Sequence, residues 1–213
     1  MPDVDLDPGL GRDRAGLIMF DPLNIYLHPD DPTREQHLRD WQTREKMQRL
    51  VEAARDSGVT VFYACGDHAP DSSDVAVRLT ETDMSLRPWG ERKPSGPQVR
   101  HGTAGAGIAR EVAPRDGDVV IPKHRWSAFH QTHLELQLRC RGIKTIILVG
   151  GSSDIGIAST AFAARDLDFG IVIVRDCCYS HKEGNNEFLM NRIFPTLARI
   201  MDTNSVIAAM KGR

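Results

Sequence analysis

Short apolar runs alternate with stretches of helical spacing along this chain. Gly16–Phe20 is apolar throughout and reads as a strand buried on both faces. Val59–Ala64, Asp118–Ile121, Thr145–Val149 and Ile171–Val174 predict four more strands. Thr33–Asp56 carries Leu38, Trp41, Met47, Leu50, Val51 and Ala54 close to helical spacing, and Gly58 follows as a stop. His133–Arg141 predicts a short helix ended by Gly142, and the alanine-rich Asp154–Asp166 predicts another. Glu187–Met201 is amphipathic with Pro195 inside it, so a kink or break is expected there. Asn204–Ile207 reads as a short edge strand.

This alternation predicts an α/β fold of three layers, α/β/α, around a mostly parallel sheet of about six strands, Rossmann-like in its winding. One domain over residues 1–213 is expected, with ligands at the carboxyl ends of the strands. The stretch Cys65–Gly107 is rich in Pro, Gly, Ser and charge. A loop of that length usually serves as a lid, a substrate-shaping insertion or an oligomer contact.

Composition narrows the classes. Hydrophobic residues make up 40% and charged residues 26%, with a formal net charge of −2. That is ordinary for a globular protein and gives no footing for a nucleic-acid or anionic-membrane partner. No apolar run approaches the ~20 residues that span a bilayer. The acidic start, Met1–Asp7, has no apolar core, so a signal peptide is not expected. Cys65, Cys140, Cys177 and Cys178 show neither a disulfide framework nor zinc-ligand spacing, which points to a reducing, cytoplasmic setting.

Three strand ends carry candidate chemistry. Asp21 follows the first strand, where a turn residue is the plain alternative. Lys123 follows the third in Pro122–Phe129, where a solvated lysine is the plain alternative. The small-residue turn Gly150-Gly151-Ser152-Ser153-Asp154-Ile155-Gly156 follows the fourth and leads into a helix. A strand, a tight turn and a helix start make an anion site, because the first N–H groups lack helical partners.

Taken in order, Ile18–Tyr26, His101–Ala106, Pro122–Phe129, the turn Gly150–Thr160 and Asp176-Cys177-Cys178 resemble the isochorismatase-like hydrolases, a cysteine hydrolase superfamily. The resemblance runs from about residue 14 to about residue 208. Any one piece is weak, but several in the right order are specific. The resemblance implies a hydrolase of a small organic molecule with no cofactor, assembled as a homodimer or homotetramer. It implies that Asp21, Lys123 and Gly156 mark the catalytic positions and that Lys123 holds Asp21. It also implies that Gly151, Ser152, Ser153 and Ile155 bind an oxygen of the substrate, with Asn24 and Trp126 beside them. A cis bond at Gly151–Ser152 is part of the same pattern.

In most members the position of Gly156 is a cysteine, whose thiolate attacks an amide or similar carbon. Glycine has nothing that attacks. Cys177 and Cys178 lie past the next strand, and Ser152, Ser153 and Ser159 would each need a base in reach. Water is therefore the expected attacking species. True isochorismatases are similar in having glycine there, and they hydrolyse a vinyl ether by protonation from an aspartic acid. Asp21 would then have to carry a proton near neutral pH. Phe20 and Pro22 would favour that by desolvation, and Lys123 would oppose it. Ser152 and Ile157 depart from that branch, and the flanking segments look closer to the amide- and carbamoyl-hydrolysing members. Arg87, Arg92, Arg100 and Arg125 are candidates to meet a carboxylate. No metal is expected, since adjacent Asp67 and His68 have the wrong spacing. The alternatives are an amide or carbamoyl hydrolase with a different nucleophile and a non-catalytic binding or scaffold homologue. Gly156→Cys is expected to restore a reactive thiol if the pocket is otherwise intact.

Overall fold

Ala15–Phe20 forms β1, and every one of its residues is buried. In a computed structural model, residues 10–71, 73–74, 99–180, 182 and 184–212 are described. After β1 come α1 (Asn24–Leu27), α2 (Pro32–Asp40), α3 (Thr43–Asp56) and β2 (Thr60–Gly66). Then follow β3 (Val119–Lys123), α4 (Leu134–Cys140), β4 (Thr145–Gly151), α5 (Ala158–Asp166) and β5 (Gly170–Tyr179). The chain closes with α6 (Asn185–Phe188), β6 (Arg199–Met201) and α7 (Thr203–Met210).

The six strands form one sheet in the order β3-β2-β1-β4-β5-β6, and all the pairings are parallel. The sheet is thus wholly parallel rather than mostly so. Its order reverses between β1 and β4, and that is where a doubly wound sheet opens a crevice at its carboxyl edge.

Side chains alternate across the sheet. Leu17 and Met19 of β1, with Val61 and Tyr63 of β2, face one core, closed by Met47, Leu50 and Val51 of α3 and by Val206 of α7. Ile18 and Phe20, with Phe62 and Ala64, face the other, closed by Leu134 and Leu138 of α4 and by Ala161 and Ala164 of α5. These are the three expected layers.

Several elements differ from the sequence reading. The expected helix over Thr33–Asp56 is two, because Gln42 adopts φ 52 and turns the chain between α2 and α3. Pro195 does break its helix, but a short strand, β6, follows where helix was expected. The edge strand expected at Asn204–Ile207 is instead part of α7, where the Asp202 carboxylate caps the Ser205 N–H at 2.8 Å. That cap overrides the β preference of Val206 and Ile207. Strand β5 runs on past Val174 through a bulge to Tyr179, so Cys177 and Cys178 lie within it. His133 stands at the start of α4, as its predicted range has it, and His130 lies in the turn before it.

Candidate active site

Strand register brings the candidate residues to one edge. Phe20 lies level with Ala64 of β2 and with Gly150 of β4, while Gly66 lies level with Lys123. Asp21 leaves β1 with φ 47, the left-handed region that a non-glycine residue seldom adopts. Such outliers gather at working sites because the surroundings must hold them. Here the Asp21 N–H donates to the Ala64 carbonyl at 2.9 Å.

The Asp21 carboxylate accepts on both oxygens. The Lys123 ammonium donates to Oδ2 at 2.8 Å, and the Gly66 N–H donates to Oδ1 at 2.6 Å. Asp21 is 7% exposed and Lys123 5%. Lys123 is the last residue of β3 rather than part of a loop, and strand pairing fixes its backbone. Its ammonium also lies 4.2 Å from the centroid of the Phe20 ring.

Gly150 stands near the end of β4, just before the turn; its φ of 120 suits only glycine and its Cα faces the Phe20 carbonyl too closely for any side chain. The Gly151–Ser152 peptide bond is cis. Residues Ser153–Ile157 then make one wide helical turn. The Ile155 and Ile157 N–H groups donate back to the Ser152 carbonyl at 3.3 and 3.1 Å, so the Ile155 N–H is engaged within the turn.

Ser152 and Ser153 at the turn, and Ser159 in the first turn of α5, are also engaged. The Ser152 hydroxyl donates to the Asp154 carboxylate. The Ser153 hydroxyl lies within hydrogen-bond distance of the Tyr179 carbonyl at 3.0 Å and of the Asn186 side-chain oxygen at 2.6 Å, and its one proton serves one of them at a time. The Ser159 hydroxyl donates to the Gly156 carbonyl at 3.2 Å. Burial pushes the Asp154 carboxyl up, but hydrogen bonds from Ser152, Asn185 and Ser180 outweigh it and hold it below the usual range. Asp154 is therefore a poor base for Ser152. Burial raises the Cys177 thiol to about 12 and pushes the Cys178 thiol well up too, which leaves neither suited to attack.

Gly156 corrects one expectation. A Cβ there would overlap the Cε1 and Cζ atoms of the Phe20 ring. The place a thiol would take is filled, so Gly156→Cys alone does not meet the open pocket it needs. Sequence reasoning named Phe20 only as an apolar neighbour of Asp21. The signal was its size, at a strand position directly before the aspartate.

The other candidates spread out. The Asn24 side chain donates to the Ala104 carbonyl at 2.9 Å, and Trp126 stands 54% exposed. The Arg125 guanidinium donates to the carbonyls of Asp74 and His124, and the backbone of Arg100 forms an isolated parallel β-bridge with that of His68. Arg87 and Arg92 lie outside the described residues, as does most of the loop expected over Cys65–Gly107. Cys65 and Gly66 belong to β2 instead. Asp67 pairs with His101 at 2.9 Å, while His68 and His124 both face Asp74. Among the described residues, no group of three or more His, Cys, Asp or Glu is arranged to hold a metal, and no helix is long and apolar enough to cross a membrane.

A cleft of about 820 Å³ opens beside the turn, with Tyr26, Arg34, Trp41, Tyr179, Asn186 and Met190 on its walls. Asp21 and Lys123 are not among its lining residues. Two of its walls still sense the carboxylate, since burial and then the Asp21 charge push the Tyr26 and Tyr179 phenols up. The cleft is also tied to the turn through the Ser153–Asn186 bond.

Known proteins share this fold. The family model described as the isochorismatase domain matches residues 15–205. An uncharacterised isochorismatase family protein, YecD of Escherichia coli O157:H7, is 42% identical over 95 residues, which is 45% of this chain and 50% of that protein. N-carbamoylsarcosine amidase of an Arthrobacter species is 28% identical over 194 residues, covering 91% of this chain and 70% of the enzyme. Among solved structures, an isochorismatase family protein from Burkholderia thailandensis superposes with a TM-score of 0.77 at 27% identity, over 93% of this chain and 96% of its own.

Proposed function

The chain belongs to the isochorismatase family, and from that premise we propose that it hydrolyses a small amide or carbamoyl compound with water, not a thiol, as the attacking species. The observation that carries this reading is the buried Asp21–Lys123 pair at the mouth of the sheet, beside a turn without a nucleophile. A carboxylate oxygen has two acceptor sites, so Asp21 can hold a water while it keeps Lys123 and Gly66. Asp21 then takes a proton as the water oxygen bonds to the substrate carbon, and returns it to the departing nitrogen. Backbone N–H groups of the turn from Ser152 to Gly156, other than that of Ile155, steady the oxygen that becomes charged. The similarity to an amidase over nine-tenths of the chain supports the bond class, and the neighbouring cleft has the size of a small-molecule site.

A vinyl-ether substrate would ask Asp21 to deliver a proton first. Two donors already aim at its two oxygens, contacts that a carboxylate makes as an acceptor. A second reading, a binding homologue without turnover, draws on the Phe20 ring set against Gly156.

The test is a panel of primary amides, N-carbamoyl compounds and isochorismate, assayed with the native protein and with Asp21→Asn. The native protein is expected to release ammonia or amine from a member of the first two classes, with a loss of about 100-fold or more in the variant. Pyruvate release from isochorismate would restore the vinyl-ether reading. Binding without turnover across the panel would leave the second.

A further inference from the structure

We propose that Phe20 fills the volume of a side chain at position 156, so that residues 20 and 156 form one coupled unit that commits the site to chemistry without a thiol. The proposal does not depend on which bond the protein cleaves.

Glycine at 156 answers to space, not to backbone conformation. Its φ is not among the left-handed values, so any residue could adopt its backbone. What stops a side chain is the Phe20 ring, which a Cβ would overlap. Gly150 differs, since its φ of 120 demands glycine by itself.

Phe20 is held in place from several sides. It ends β1, is 2% exposed, and packs with Ile18, Phe62 and Ile157 in the core under α5. Its strand is paired on both edges, so the backbone has no freedom to carry the ring away. Its face meets the Lys123 ammonium at 4.2 Å, an attraction that favours the present ring position. The ring thus borders both the vacant position at 156 and the ion pair. A return to thiol chemistry therefore needs two changes, a smaller residue at 20 and a cysteine at 156.

A double-mutant cycle tests this, with melting temperature as the readout for Gly156→Ala, Phe20→Val and the pair together. Gly156→Ala is expected to lower the midpoint by about 5 °C or more, the range for overpacking a filled core in a chain of this size. The pair is expected to melt above the value obtained by adding the two separate losses. Losses that simply add, or exceed the sum, overturn the proposal. If Gly156→Ala does not fold at all, a folded double variant supports the coupling and an unfolded one overturns it.

A second readout uses the vacated space. Cys140 is exposed, so the assay starts from a Cys140→Ser background. In Phe20→Ala/Gly156→Cys, iodoacetamide is expected to label residue 156 at least about tenfold faster than the buried Cys65, Cys177 and Cys178. Labelling no faster than those three would show that the ring does not occupy the approach to 156, and would overturn the proposal.

Discussion

Asp21 and Lys123 are buried together, and each is costly without the other. An ion taken out of water is tolerated when its partner and hydrogen bonds are in place, and removing one partner leaves a bare charge. Lys123→Met is therefore expected to cost about 3–5 kcal/mol in denaturant unfolding, more than Asp21→Leu/Lys123→Met, in which both charges are gone. Equal losses in the two variants would mean that the pair is not held as the geometry indicates. These two residues were legible as candidates because each falls at a strand end. The packing of Phe20 against Gly156 was not. In a strand buried on both faces every apolar residue looks alike, and the sequence does not say which ring faces which bend.

At the scale of elements, the break between α2 and α3 is stapled by a charge cluster. The Arg44 guanidinium grips both oxygens of Glu35 at 2.8 and 2.9 Å and donates to the Leu27 carbonyl at 2.7 Å, joining α1, α2 and α3. The hydrogen bonds from Arg44 lead the effects that hold the Glu35 carboxyl down to about 2 against an ordinary 4.5. A carboxyl lowered on folding stabilises the native state above its unfolded value, and that contribution fades as pH falls toward the folded one. Glu35→Gln is thus expected to be less stable than the native protein at neutral pH, with the gap closing between about pH 4.5 and 2. Urea unfolding across that range measures it, and a gap independent of pH would count against the staple. The helix break itself was hidden, because Leu38, Trp41 and Met47 keep nearly helical spacing through it. The end of the chain misled in the opposite way. Val206 and Ile207 suggested a strand, while the deciding feature was the Asp202 cap three residues before Ser205.

On the scale of the molecule, the alternation of apolar runs was enough to read three layers and a parallel sheet, because a strand covered on both faces loses its polar positions. Strand order was not readable that way, yet it decides function. The order β3-β2-β1-β4-β5-β6 sets the ends of β1 and β4 side by side, with β3 only two strands from β1. An acid, an amine and a turn from distant parts of the chain thereby meet at one edge. In the proposed reaction water does the attacking, since the hydroxyls of Ser152, Ser153 and Ser159 bond elsewhere and residue 156 has no side chain. The most direct measurement is a single turnover with protein in excess over an amide or carbamoyl substrate that it cleaves, quenched at intervals and weighed intact by mass spectrometry. Direct attack by water predicts that product appears while the protein keeps its unmodified mass throughout, and that Asp21→Asn suppresses product formation. An acyl- or carbamoyl-protein that forms before product and decays as product appears would contradict the account, as would product formation that does not depend on Asp21.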